Sequence, residues 1–153
     1  MLASDPSRTF HVRPDDVPYA RLERPYGVTY MKLIHCSPAA NTFTNIIRWE
    51  AGVRLPRHLH TGSVHAYTFE GRWRYLEYDW EATAGSYVHE PPGTVHTLQV
   101  EEPTTAMFVS YGAFIWFGPD GQMAHYQDAA STLADCRETL RSQGLELPDG
   151  VVV

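Results

Sequence analysis

The sequence has few cysteines and an excess of acidic residues, and both features narrow the possible functions. The 153 residues include two cysteines, Cys36 and Cys136, which lie far apart and form no CxxC pair. This excludes a disulfide framework and a zinc knuckle. Lysine and arginine number 12 against 18 aspartates and glutamates, which gives a formal net charge of -6. An acidic chain without a basic stripe binds phosphate backbones poorly, so we expect no nucleic-acid partner.

Long apolar segments are also missing. No run of eighteen consecutive apolar residues occurs in the chain, which excludes a typical membrane-spanning helix. The N-terminal segment carries charges and prolines where a signal peptide needs an apolar core. We therefore expect a soluble, cytoplasmic protein without a membrane partner. A chain of this length is sufficient for one globular domain.

Short β-rich runs make up most of the sequence and predict the fold class. Between residues 28 and 127, these runs alternate with turn sequences such as SPAAN, EATAG, PPG and GPDG. The dipeptide EG at 70–71 is interpreted as another turn. Only the end has a helical pattern, because Asp128 can cap a helix starting at Ala129 and Gly144 can end it. We predict an all-β sandwich or barrel with a C-terminal helix.

The N-terminal region differs in composition from the β-rich part. Residues 1–27 contain four prolines among charged residues, which is typical of an arm laid over a domain rather than of a regular element. We therefore divide the chain into an arm at 1–27, a barrel at 28–127, and a helix with a tail at 128–153. The three parts are expected to form a single domain.

Histidines are concentrated in the middle of the chain. Five of the eight lie between residues 58 and 96. His58 and His60 are separated by one residue, so on a strand both imidazoles project from the same face. A third ligand must come from another strand, and His96 follows a PPG turn that would start a strand returning past the first. These three histidines are the candidate ligands of a divalent metal ion.

The spacing of these residues resembles the two cupin motifs. The first motif is matched by Gly52, His58, His60, His65 and Gly71, and the second by Gly85, Pro91, Gly93 and His96. The resemblance covers roughly residues 28–127. It implies a cupin jelly-roll, or double-stranded β-helix barrel, in which the three candidate histidines converge on a metal ion.

One position departs from the common cupin pattern. Many cupins have a glutamate where this sequence has His65, and its loss would leave three neutral imidazoles around the ion. Such a centre favours an anionic ligand with two oxygens, such as an enolate or a hydroxyketone. His65 is itself a candidate site residue, as a fourth ligand or as a hydrogen-bond partner of a ligand, and the remaining interpretation is a packed residue.

A three-histidine centre is similar to that of cupin dioxygenases that cleave carbon-carbon bonds of diketones and hydroxyketones. The runs HLHTGSVHAYTFEGRWRYLEYDW and AGSYVHEPPGTVHTL also resemble the bacterial 2,4'-dihydroxyacetophenone dioxygenases. Those enzymes use iron and molecular oxygen to split an aromatic hydroxymethyl ketone into 4-hydroxybenzoate and formate. The resemblance implies an Fe(II) dioxygenase whose partners are a small ketone and O2. Zinc or nickel could replace iron on purification, because imidazoles accept these metals as well.

Three other functions remain open. The substrate could be a diketone or another small ketone. The chain could instead be a zinc-binding sensor resembling the cupin part of anti-sigma factors. A metal-independent cupin, such as a sugar epimerase, is the third possibility.

The dioxygenase hypothesis assigns further residues. Glu90, directly before Pro91, is the candidate base that accepts the hydroxyl proton of the substrate or orients a ligand histidine. An aromatic substrate also needs an apolar wall. The wall can be formed by Tyr67, Trp73, Tyr75, Phe108, Tyr111, Phe114 and Trp116, among which Tyr67, Trp73, Phe108 and Phe114 are the selected candidates. Because cupins often pair edge strands between subunits, we also expect a homo-oligomer, either a dimer or a tetramer.

Overall fold

Strands dominate the computed structural model, which describes residues 9–153. A short 3₁₀ helix at Pro14–Asp16 comes first. The elements that follow are β1 (Ala20–Arg24), β2 (Gly27–Ser37), β3 (Thr42–Trp49), β4 (His58–His60), β5 (Val64–Tyr75), β6 (Ala82–Thr83), β7 (Tyr87–Glu90), β8 (Val95–His96), β9 (Leu98–Tyr111), β10 (Phe114–Phe117), β11 (Met123–Gln127) and α1 (Ala129–Ser142). The predicted all-β class with a C-terminal helix is confirmed.

Two antiparallel sheets form the jelly-roll. The larger sheet has the order β1-β2-β3-β9-β5-β6, with β7 also paired to β5, and the smaller has the order β11-β10-β4-β8. Strands far apart in sequence therefore lie side by side, as β3 and β9 do from the pair Thr42 with Tyr111 to the pair Trp49 with Thr104. Such pairing of strands that are distant in sequence, in a barrel of two sheets, is typical of a jelly-roll.

Alternate residues of each strand form the core between the two sheets. On β5, Val64, Ala66 and Thr68 are almost completely buried. Between them, Tyr67 is 41% exposed, so the odd-numbered residues of this part of β5 lie on the outer face of the larger sheet. The inner and outer faces defined in this way decide which candidate residues can reach a site inside the barrel.

Helix α1 begins and ends where the sequence predicts. The Asp128 carboxylate accepts a hydrogen bond from the Ser131 backbone N–H, and the Ser131 hydroxyl accepts one from the Asp128 N–H. This reciprocal pair is a capping box. Gly144 follows the C-cap residue in the left-handed conformation, with φ of 73°. In the described part of the chain, no helix is long and apolar enough to cross a membrane.

The N-terminal region contains a strand where the sequence predicts an irregular arm. Residues 1–8 of that arm lie outside the described residues. Ala20–Arg24 form β1 and pair with the first residues of β2 as a hairpin. The prolines Pro18 and Pro25 lie just outside this strand, so neither removes a hydrogen bond from the ladder. Burial of Ala20 and Leu22 against the core favours the strand.

The predicted turn at residues 70–71 is wrong, because β5 continues through it to Tyr75. The pairing of β5 with β9 shifts register on both sides of Glu70, which marks a bulge. Gly71 has a φ of 90°, and a Cβ atom there would lie 2.2 Å from the carbonyl oxygen of Pro103. The glycine is therefore needed for a close approach between two strands and not for a chain reversal.

Candidate metal centre

Three histidines converge on the inner face of the smaller sheet. His58 and His60 lie on β4, and His96 on β8 pairs directly with His58. Each histidine offers one ring nitrogen, and these nitrogens lie within 4.8 Å of one another. The three side chains are almost completely buried. The fold therefore brings together the three residues that the sequence analysis names as ligand candidates.

Hydrogen bonding to the backbone orients the first of these rings. His58 Nδ1 lies 2.8 Å from the Pro56 carbonyl oxygen. A neutral imidazole carries one proton, so a proton on Nδ1 that is donated to this carbonyl leaves the Nε2 lone pair free. A backbone carbonyl that fixes the tautomer in this way is a common support for a metal-ligating histidine.

Burial keeps two of the imidazoles uncharged. Removal from water, with a smaller contribution from the neighbouring His96, lowers the pKa of His58 to about 3, although the hydrogen bond to Pro56 acts in the opposite direction. Removal from water also lowers the pKa of His60 to about 2, with further contributions from His58 and His96. Metal coordination requires the unprotonated form of histidine. At neutral pH both side chains are therefore in the form that binds a cation.

A buried carboxylate lies beside the histidines. Glu90 on β7 pairs with Val64 on β5, so its side chain enters the barrel from the larger sheet. Its Oε2 atom lies 3.1 Å from His60 Nε2 and 3.4 Å from His96 Nε2. These contacts have ion-pair distances, yet Oε2 has no hydrogen-bond partner among residues 9–153.

The donor set fits a divalent cation. His60 Nε2 and His96 Nε2 lie 2.9 Å apart, and the Glu90 oxygen without a partner adjoins both. Buried polar atoms normally have partners, and such an oxygen would be satisfied by a bound ion. Imidazole nitrogens and a carboxylate oxygen suit zinc, iron and nickel. The three-histidine site can therefore bind a metal ion, whose identity the donor set does not fix.

A cavity of about 780 Å³ extends from His58 and His60 to helix α1. Most of its wall is apolar and includes Leu22, Ile47, Trp49, Phe108, Phe114 and Trp116. The Phe114 ring lies 4.4 Å from the His60 ring, and the Trp116 ring lies 4.4 Å from the His58 ring, measured between centroids. A cavity of this volume and character can enclose a small aromatic molecule next to the histidines.

A comparison of the sequence with models of protein families identifies the family of this chain. The model described as the ChrR cupin-like domain matches residues 7–115, which is most of the chain. The chain belongs to this cupin family. A search of the curated proteins finds no match.

Solved structures share the fold of this cupin. An RmlC-like cupin protein from Ralstonia eutropha JMP134 is 26% identical, with 93% of each chain covered and a TM-score of 0.84. An acetylacetone dioxygenase from Acinetobacter johnsonii is 18% identical, covering 91% of this chain and 98% of that chain, with a TM-score of 0.81. Rhodobacter sphaeroides SigE in complex with the anti-sigma ChrR is 16% identical, covering 64% and 51%, with a TM-score of 0.52. The last two show the fold alone.

The cupin prediction is confirmed by these comparisons. The narrower resemblance to 2,4'-dihydroxyacetophenone dioxygenases is not established by them and stays a prediction.

Tyr75, which the sequence suggests only as one of several aromatic wall candidates, lies against the histidine cluster of this cupin. Its hydroxyl donates a hydrogen bond to Glu90 Oε1. Its ring stacks on the His96 ring with a centroid distance of 3.6 Å. Burial, followed by the negative charge of Glu90, raises the pKa of Tyr75 well above its usual value, so the phenol stays protonated. Tyr75 thus supports both a histidine and the carboxylate.

Two of the four aromatic candidates line the cavity of this cupin. Phe108 and Phe114 are part of the wall. Trp73 is instead completely buried in the core, where its indole N–H donates to Thr68 Oγ1 at 2.9 Å. Tyr67 lies on the outer face of the larger sheet and is 41% exposed. The structure therefore does not bring Trp73 or Tyr67 to the cavity.

His65 also lies away from the three histidines. It follows the inward-pointing Val64, so its side chain is on the outer face of β5. There its Nδ1 atom lies 2.6 Å from the Tyr87 hydroxyl, and its ring stacks on His89 at a centroid distance of 4.9 Å. This placement corrects the prediction of His65 as a ligand or as a partner of a ligand. The carboxylate that many cupins have at this position comes here from Glu90 on the neighbouring strand.

Proposed function

We propose that this cupin is an Fe(II)-dependent dioxygenase that cleaves the carbon-carbon bond of an aryl hydroxymethyl ketone. The products would be an aromatic acid and formate. The observation that carries the proposal is the group of three buried imidazoles and one buried carboxylate beside an apolar cavity of about 780 Å³. A structural metal site is closed by protein ligands, whereas a catalytic site keeps a position open to a substrate.

In this proposal His58, His60 and His96 hold the ion, with Fe(II) as the active metal and zinc or nickel as metals that could occupy the site on purification. When bound, the ion supplies a Lewis acid for the two substrate oxygens and a site at which O2 reacts. The protein contributes the orientation of these groups. His58 and His60 both line the cavity, so a substrate inside the cavity would lie next to the ion that these histidines hold.

Glu90 is proposed as the base that accepts the hydroxyl proton of the substrate. Tyr75 holds one carboxylate oxygen through its hydroxyl, and the other oxygen lies 3.1 Å from His60 Nε2. The carboxylate is thereby fixed with Oε2 directed at the ligand cluster. A base must lie within hydrogen-bond reach of the proton that it removes, and a hydroxyl bound next to His60 meets this condition.

The aromatic wall is proposed to bind the ring of the substrate. Phe114 and Trp116 lie against the rings of His60 and His58, and Phe108 forms part of the opposite sheet. An aryl ketone would place its oxygens at the histidines and its ring between these side chains. Contact of the ring with this apolar wall would displace water from both surfaces.

Oxygen consumption tests the proposal. Protein reconstituted anaerobically with Fe(II) is mixed with 2,4'-dihydroxyacetophenone or acetylacetone, and the products are identified by mass spectrometry. We expect oxygen uptake with formation of 4-hydroxybenzoate and formate. Cleavage of acetylacetone alone would replace the aryl ketone by a diketone. No uptake with either compound at full iron occupancy would contradict the dioxygenase proposal.

Two histidine variants complete this experiment. His96→Ala removes a candidate ligand, and we expect it to lose both bound iron and oxygen uptake, because two neutral imidazoles hold a labile ferrous ion weakly. His89→Ala is the matched control, since this histidine lies on the outer face of the larger sheet. Iron content that falls equally in both variants would argue against the ligand assignment.

A zinc-binding regulatory module is the second candidate function. The matching family model is described as ChrR cupin-like, and the structure of SigE with the anti-sigma ChrR shares the fold. Such a module needs a metal ion but no substrate cavity. Zinc binding at the three histidines without oxygen uptake in the iron form would favour this candidate over the enzyme.

A further inference from the structure

Two buried polar side chains on the cavity wall lack partners within the protein. Asn45 Oδ1 and Ser110 Oγ make no hydrogen bond to any residue between 9 and 153. Asn45 is 7% exposed and Ser110 is 1% exposed. Both line the same cavity as His58 and His60. An unpaired buried polar atom is destabilising, and here both residues belong to the wall of a cavity that a ligand can enter.

The strand register places these side chains relative to the metal centre. Ser110 on β9 pairs with Val64 on β5, and Val64 pairs with Glu90 on β7. Ser110 is therefore two strands from Glu90 in the same row, roughly 10 Å away at the usual strand spacing. On its other side Ser110 pairs with Phe43, and Asn45 is two residues farther along β3. Asn45 and Ser110 are thus diagonal neighbours on one face of the sheet.

Asn45 and Ser110 are both uncharged, and together they offer a hydrogen-bond acceptor and a hydrogen-bond donor to a ligand. The Asn45 amide donates to Met31 Sδ at 3.6 Å, which leaves its carbonyl oxygen as an acceptor. The Ser110 hydroxyl can donate and accept. A ligand hydroxyl matches both groups, because it can donate to Asn45 and accept from Ser110. A carboxylate would lack a cationic partner, since the arginine on this wall, Arg24, is paired with Asp135.

We propose that Asn45 and Ser110 bind a neutral hydroxyl group on the ring of the ligand, at the end away from the histidines. The proposal rests on the aryl ketone function above and narrows its substrate class to ketones with a ring hydroxyl. A site with buried hydrogen-bonding groups rejects an analogue that lacks the matching hydroxyl, because the analogue leaves these groups unpaired. The two side chains therefore act as specificity residues.

The test compares two probes that differ by one hydroxyl. Binding of 2,4'-dihydroxyacetophenone and 2-hydroxyacetophenone to the zinc-loaded protein is measured by calorimetry, so that turnover does not interfere. Each neutral hydrogen bond is expected to add about fivefold to tenfold in affinity, so two bonds give a preference of about 25-fold to 100-fold for the hydroxylated probe. Equal affinities of the unmodified protein for the two probes would overturn the proposal.

Variants assign the preference to the two side chains. Ser110→Ala removes one oxygen, and Asn45→Leu replaces the amide by an apolar group of similar size. Each is expected to reduce the preference by about fivefold to tenfold while the affinity for 2-hydroxyacetophenone is kept. Thr44→Ala, next to Asn45 but on the outer face, is the control and should keep the preference. A preference retained in Ser110→Ala as well as in Asn45→Leu would overturn the assignment, and Ser110→Ala alone decides if the leucine variant does not fold.

Oxygen uptake by the iron form separates this proposal from the proposed function. Discrimination between the probes without oxygen uptake would support the hydroxyl subsite and contradict the dioxygenase. Oxygen uptake without discrimination would support the dioxygenase and overturn the hydroxyl subsite.

Discussion

The hydrogen bond from Tyr75 to Glu90 can be deleted by removing one oxygen atom. Tyr75→Phe keeps the ring that stacks on His96 at 3.6 Å but loses the hydroxyl that donates to Glu90 Oε1. Tyr75 is 2% exposed and Glu90 is 3% exposed, so bulk water cannot replace the donor. A hydrogen bond to a charged group contributes about 1.5–3 kcal/mol. We expect the free energy of unfolding of the metal-free protein at pH 7 to fall by about 2 kcal/mol.

The same variant should weaken metal binding. Residues that orient groups around a metal typically contribute about tenfold to hundredfold in affinity, and Tyr75 supports both His96 and Glu90. Urea unfolding measures the first effect, and competition with a chromophoric zinc chelator measures the second. Tyr78→Phe is the matched control, because Tyr78 is 44% exposed. If Tyr75→Phe behaves like this control in both assays, the support of Glu90 by Tyr75 is refuted.

Three further predictions concern catalysis, packing and pH. Glu90→Gln keeps the three histidines and an amide oxygen beside them, so it should still bind iron, though less tightly, but slow turnover, measured as oxygen uptake per iron; unchanged turnover would remove Glu90 as the base. Gly71→Ala should destabilise the protein by about 2 kcal/mol more than Gly85→Ala in urea unfolding, because both residues have positive φ but only at Gly71 would a Cβ meet backbone, at 2.2 Å. Equal losses would contradict the close approach. In the metal-free protein, His58 and His60 of the unfolded chain take up protons when the pH falls below their usual pKa of 6.5. In the native state their pKa values are about 3 and about 2. The unfolded state therefore binds more protons, and the unfolding free energy should fall by about 2–3 kcal/mol from pH 7 to pH 5.5; a constant value would contradict the burial of neutral histidines.

The histidine cluster could be predicted from the sequence because its geometry is local. His58 and His60 share a strand face through their spacing, and the turn before His96 returns the chain to that strand. The pairing of His58 with His96 confirms this prediction. The helix at Ala129–Ser142 was predictable for the same reason, since its capping residues are adjacent to it in sequence.

The alternation of apolar and polar residues along β5 does not predict which face of this strand points into the barrel. His65 and Tyr67 do share a face, but pattern alone does not show whether that face is inside or outside the barrel. The bulge at Gly71 then reverses the alternation, because even-numbered residues point inward before it while Trp73 and Tyr75 point inward after it. Alternation therefore gives no reason to select Tyr75 from the aromatic wall candidates, and it suggests a role for Tyr67 that its position does not support.

Other contacts of the site depend on pairing between distant strands. Asn45 and Ser110 come together only through the register of β3 with β9. Glu90 was predicted from its place in the second motif, but its contact with His60 depends on the pairing of β7 with β5. The division at 1–27, 28–127 and 128–153, the cytoplasmic location and the homo-oligomeric state stay predictions.

Incorporation of labelled oxygen tests the central claim most directly. The iron-loaded protein is supplied with 18O2 and 2,4'-dihydroxyacetophenone. After one turnover, the expected products 4-hydroxybenzoate and formate are analysed by mass spectrometry. A carbon-carbon cleaving dioxygenase places one labelled atom in 4-hydroxybenzoate and one in formate. Complete consumption of the ketone with no label in either acid would contradict the dioxygenase assignment, as would the absence of both acids at full iron occupancy.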